Sequence, residues 1–129
     1  MKSFAASLDA FANKTVAQMK AVMQESVQDV VAIAQSPKAQ GGRMPVDTGN
    51  LRNSLASGLN GTFGPAGPES YELTIAGMEI GDVARFAWTA EYAIYQELGT
   101  SKMHGNHFVG SAAAEWPSIV EANAARVKS

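Results

Sequence analysis

The sequence predicts an α+β domain in which a long N-terminal helix and a C-terminal helix pack on a small antiparallel sheet. Three observations carry that reading. Apolar residues recur at helical spacing through positions 3–35, two stretches between 70 and 90 alternate or are rich in strand formers, and positions 109–128 are rich in Ala. Helices at both ends of a strand-bearing middle suggest segregated layers rather than alternating βαβ units.

Residues 3–35 read as one amphipathic helix. Phe4, Leu8, Phe11, Met19, Val22, Val30 and Ile33 fall close to multiples of a turn, and Lys14, Lys20, Glu25 and Asp29 supply the polar side. At a rise of about 1.5 Å per residue such a helix spans roughly 50 Å, more than a chain of this size needs. Either one end protrudes, or a neighbouring subunit covers part of the apolar face. The second is preferred, because a protruding apolar stripe would face water. Pro37, the Gly41–Gly42 pair and Pro45 end the helix in a flexible loop.

A motif loop and short helix follow over 45–56, with Leu51 and Leu55 four apart. Residues 58–69 form a Gly/Pro-rich loop in which Gly58, Gly61, Gly64 and Gly67 recur at every third position. That is the collagen period, but the run is far too short to hold a triple helix, so a mobile loop or hairpin tip is expected. Inside it Asn60-Gly61-Thr62 matches the glycosylation sequon, which has no consequence in a protein that is not secreted. Strands are expected over about 70–90. Tyr71–Ile75 alternates as one and Val83–Thr89 reads as the other, with the glycines of GMEIGD between them for a turn or bulge. A short helix over 91–98 ends at Gly99, and 109–128 is helical. Pro117 either kinks that last region or opens a second helix from its first position.

The chain of 129 residues is long enough for one domain with a real core. Its 46% hydrophobic and 17% charged content is that of a globular protein. Ten Lys and Arg stand against twelve Asp and Glu with no basic stripe, so nucleic-acid specificity is not expected. With no Cys, disulfides, thiolate metal sites and Cys nucleophiles are excluded, in keeping with maturation in a reducing cytoplasm. Ser7, Asp9 and Asn13 interrupt the N-terminal apolar residues, so neither a signal peptide nor a membrane span is expected.

The triplet Asp47-Thr48-Gly49 is the one that carries the catalytic carboxylate in aspartic proteases, and a homodimeric protease using Asp47 is one reading. Its surroundings oppose it. Pro45 cannot donate to a sheet ladder just before the triplet, and Arg52 would favour an ionised Asp where a protease dyad shares a proton. The second reading needs only local physics: Asp47 and Thr48 cap the helix that follows, at the positive end of its dipole. His104 and His107 lack further ligands, and no Ser-His-Asp arrangement is apparent, so no metal, cofactor or catalytic residue is expected. Phe86, Trp88, Tyr95 and Trp116 lie without basic neighbours and read as core or interface anchors.

Two segments carry a resemblance. Val46-Asp47-Thr48-Gly49, with Leu51, Arg52 and Ser54, is similar to a signature of tail components from long-tailed bacteriophages, the tail-completion or head-to-tail joining proteins. Some forty residues on, Tyr92, Ala93, Tyr95, Glu97, Gly99 and Thr100, then Phe108 and Ala112, resemble that family's second signature. His107 and Ser111 stand where the family has proline. The resemblance implies a virion structural protein without catalysis: a small α+β subunit in a ring, often sixfold, at the head-proximal neck of the tail. Such a ring closes the tail and joins it to the head. A tail-tube terminator or a connector adaptor is the neighbouring alternative. The partners implied are copies of itself and other tail or neck proteins; assembly in the host cytoplasm leaves it in the virion. Of the signature residues, Asp47, Thr48, Gly49, Leu51, Arg52, Tyr92, Tyr95, Glu97, Gly99, Thr100 and Phe108 are expected to form the structural and interaction motif. Arg52 and Glu97 are further expected to pair and tie the two segments together.

Overall fold

A computed structural model describes residues 4–45, 50–101 and 103–127. The first element, α1, is a helix over Phe4–Ala34, within a residue of its expected bounds. It ends because Pro37 cannot continue it: Ser36 N bonds Ile33 O and Ser36 Oγ donates back to Ala32 O, closing the last turn. The next segment is not the open loop expected of its glycines. A 3₁₀ turn, Lys38–Gln40, is closed by bonds from Lys38 N to Met44 O and from Met44 N to Ser36 O, and Met44 is wholly buried. Gly42 permits this fold-back, since a Cβ there would sit 2.0 Å from Ser36 O.

The segment expected as one short helix over 45–56 divides in two. Helix α2 covers only Asn50–Asn53, and Leu55–Leu59 is strand β1. Ser54 marks the division: its N–H and Oγ both bond to Leu51 O, which ends the turn, and its O accepts from Thr89 N. Leu51 and Leu55 therefore do not share a helical face. Strand β1 enters the Gly/Pro-rich stretch and returns through β2, Thr62–Phe63, with Asn60 and Gly61 between them at φ 56 and 89. Positive φ at both positions is the signature of the two-residue turn that matches sheet twist. Gly58 allows the hairpin to close, because a Cβ would lie 1.7 Å from Thr62 O.

Residues 70–76 are not a strand but helix α3, Ser70–Ala76. Tyr71 and Ile75, one turn apart, are buried, while Leu73 between them is 85% exposed. The expected second strand is present as β3, Ala84–Trp88, with Gly81 at φ 96 in the turn before it. The sheet order is β2-β1-β3, antiparallel throughout, with Leu55 opposite Trp88 and Leu59 opposite Ala84. Helix α4, Ala93–Leu98, stops at Gly99, whose φ of 87 suits glycine. A small ladder pairs β4, Gly99–Thr100, with β5, Met103–His104. Helix α5 covers Phe108–Ala114 and α6 covers Trp116–Val127, so the C-terminal region is two helices joined at Glu115, with Pro117 in the first turn of the second.

The main core lies between α1, β1 and α3: Val31, Leu55, Tyr71, Ile75 and Met78, with Phe86 and Trp88 against it. A second cluster of Met44, Leu51 and Phe108 shares Trp88 with the first. A polar seam holds helix α6 to α1 near the C-terminal end of α6. Asn123 Nδ2 donates to the buried Ser26 Oγ at 3.1 Å and to Asp29 Oδ2 at 3.0 Å, and Arg126 donates to Asn123 Oδ1 and approaches Glu25. The architecture is thus α+β, with helices around a three-stranded antiparallel sheet.

Candidate assembly surface

The two signature segments meet through packing. Leu51 from α2 and Phe108 from α5 are both about 2% exposed and lie in one cluster, and the Phe108 ring meets Trp88 edge-on at 5.2 Å. The expected Arg52–Glu97 pair does not form. Arg52 Nε instead donates to Gln35 O at 2.9 Å, and the Glu97 carboxylate is taken by backbone N–H groups. The physical reason is local competition. Each charge finds a partner presented by a helix end, the residue just past α1 for Arg52 and the first turn of α5 for Glu97.

Glu97 fastens the second segment to itself. Its Oε1 accepts from Val109 N and its Oε2 from Gly110 N, both at 2.9 Å, so a residue of α4 caps the first turn of α5. Its own carbonyl accepts from His107 N, and Gln96 O accepts from Asn106 N at 2.7 Å. Gly105 must be small here, because a Cβ would lie 2.5 Å from Glu97 O. His107 takes φ 50, a value closed to the proline that the resembled signature carries, so this loop enters α5 by its own route. Thr100 lies exposed in β4 opposite Met103. His104 and His107 join no metal-binding group: among the described residues no cluster of three His, Cys, Asp or Glu exists.

Gln35 was not singled out by composition or periodicity, yet from the end of α1 it joins α2, β3 and the loop before α3. Its Nε2 donates to Arg52 O at 3.0 Å and Pro68 O at 2.8 Å, its Oε1 accepts from Trp88 Nε1 at 2.8 Å, and its own O holds Arg52. At 2% exposure it is a buried polar group whose amide nitrogen and oxygen are both hydrogen-bonded. Tyr71 packs nearby. Burial raises its phenol above the ordinary value, Glu72 and Glu69 add to this, and Arg52 opposes it. Val46, Asp47, Thr48 and Gly49 lie outside the described residues, so the capping and the protease readings of Asp47 both fall there.

The two tyrosines of the second signature face outward. Tyr92 and Tyr95 are exposed, and so are their neighbours Ile94 and Leu98, the last at 64%. Together they place an apolar surface on a helix whose C-terminal end is fixed by Glu97 and Gly99. A second apolar surface lies between α1 and α6, a groove of about 520 Å³ lined mainly by Met19, Val22, Met23, Trp116 and Val120. Met19 and Trp116 are exposed along it.

A family described as "Bacteriophage HK97-gp10, putative tail-component" matches residues 2–99. No curated protein and no solved structure matches the chain. The match takes in the long helix, the first signature, the whole three-stranded sheet and the second signature as far as Gly99. With most of its length covered, the chain belongs to the HK97-gp10-like family of bacteriophage tail components.

Proposed function

We propose that this tail component works as a tail-completion or neck subunit, building a homo-oligomeric ring at the head-proximal end of the tail and acting by contact rather than catalysis. One observation carries the reading: two unlike apolar surfaces, the α4 face and the α1–α6 groove, are both presented to solvent. A closed ring needs two different patches that meet head to tail, whereas a twofold dimer needs one patch that meets itself. Scattered exposed apolar residues are ordinary, but contiguous sets of this kind mark interaction surfaces. In the proposed ring, Tyr92, Ile94, Tyr95 and Leu98 of one subunit enter the groove beside Met19 and Trp116 of the next.

The rest of the described chain suits that role. No described helix is long and apolar enough to cross a membrane. Asp47 and Thr48 are proposed as caps for α2, with Leu51 and Phe108 as the packing that joins both signatures. Sedimentation and negative-stain imaging of purified protein test the reading. Rings that a Leu98→Asp substitution converts to folded monomers support it; a wild-type monomer at every concentration, including in the presence of tail proteins, contradicts it.

A further inference from the structure

We propose that Asn60–Gly61 is a site of succinimide formation and deamidation, restrained in the native protein by a clasp to the turn before β3. Asn60 is exposed at the tip of the β1–β2 hairpin, and an added Cβ on Gly61 would meet nothing within 4 Å. No side chain therefore crowds the Gly61 Cα beside the attacking backbone nitrogen. After that nitrogen loses its proton to water, it attacks Asn60 Cγ. The N–Cγ bond forms, Nδ2 takes a proton back from water, the Cγ–Nδ2 bond breaks and ammonia leaves. Water then opens the cyclic imide at either carbonyl, leaving aspartate or isoaspartate at position 60.

The clasp engages both ends of the amide. Asn60 Oδ1 accepts from Val83 N at 3.0 Å, and Nδ2 donates to Asp82 Oδ1 at 3.1 Å. Asp82 is itself positioned, its Oδ2 accepting from Glu79 N at 2.8 Å, and Asn60 N donates to Val83 O at 2.8 Å. For Cγ to swing onto Gly61 N, the two hydrogen bonds of the side-chain amide must break first. Once formed, either product undoes the clasp. Aspartate puts a charged oxygen where the Nδ2 donor faced Asp82, and isoaspartate adds a backbone atom to a two-residue turn. The sequon read over these residues thus gives way to a different chemistry at the same side chain, one that needs only water.

Ageing of the intact chain at mildly alkaline pH, followed by peptide mapping and enzymatic labelling of isoaspartate, tests this. Conversion should localise to Asn60 and run roughly three to ten times faster in Asp82→Ala, the factor that one lost hydrogen bond is worth in rate. If Asp82→Ala does not fold, as judged by circular dichroism, Asp82→Leu keeps the volume without either oxygen acceptor and is expected to accelerate in the same direction. Equal rates in the wild type and the folded variant, or no conversion at Asn60 in either, overturn the proposal.

Discussion

The inward and outward halves of the second signature are built from neighbouring residues and do opposite things. Glu97, Gly99, Gly105 and Phe108 are tied down by backbone hydrogen bonds, close approaches and a buried ring contact. Tyr92, Ile94, Tyr95 and Leu98, on or beside the same short helix, stand exposed. The first set fixes where the second set points. A six-residue helix has little stability of its own, so its outward face is only as well defined as the caps and packing behind it. The difference separates two kinds of substitution: inward changes should cost stability, and outward ones should cost assembly alone.

The largest effect is expected inside. Phe108→Ala removes the ring that joins both signatures and should destabilise the subunit by about 3–5 kcal/mol, read by chemical denaturation. Gln35→Leu comes next. It leaves the Trp88 indole N–H and the carbonyls of Arg52 and Pro68 without their partner, for roughly 2–3 kcal/mol. Glu97→Ala uncaps α5 and should cost about 1–2 kcal/mol, while also loosening the loop that carries Asn106 and His107. The smallest stability effect is the most informative: Leu98→Asp should change stability by less than about 0.5 kcal/mol and still abolish assembly. A Leu98→Asp protein that unfolds would remove the distinction between the two halves.

Two titrations refine the same contrast. The backbone hydrogen bond from Glu79, then the side-chain bond from Asn60, holds the Asp82 carboxyl below the ordinary range. A depressed carboxylate contributes stability above its unfolded value that is lost as pH falls through the folded one, so the hairpin clasp should weaken below about pH 4. Tyr71 is shifted the other way. Its raised phenol stays neutral while the unfolded chain ionises, so stability should fall as pH rises past about 10, and Tyr71→Phe should remove that slope.

How much of this was legible follows the length and distinctness of each periodic signal. A helix of 31 residues offers many turns for its apolar period to register, and Pro37 marks its end. Tyr71–Ile75 offers one turn, in which every second and every fourth residue are apolar alike; only the exposure of Leu73 separates helix from strand. Strand β1 was hidden for a different reason. Its Leu-Ala-Ser-Gly-Leu has none of the β-branched or aromatic residues that announce strands, yet it is central, and its small residues admit β2 closely. The Asn60–Gly61 pair was the available signal, since that dipeptide favours a two-residue hairpin turn. At the site, Leu51 and Phe108 are named by both the motifs and the packing. The Arg52–Glu97 pair was not readable, because two charges in one sequence always suggest each other while helix ends, which compete for them, appear only in three dimensions. Gln35 carried no signal at all, being one polar residue at the end of an amphipathic helix.

The head-to-tail contact is tested most directly by mixing two broken surfaces. Leu98→Asp disables the α4 face and Met19→Asp disables the groove, so neither variant should form rings alone. Each retains the surface the other lacks, and their mixture should stop at a one-to-one heterodimer in native mass spectrometry. A mixture that stays monomeric, or a Leu98→Asp protein that still forms full rings, contradicts the account.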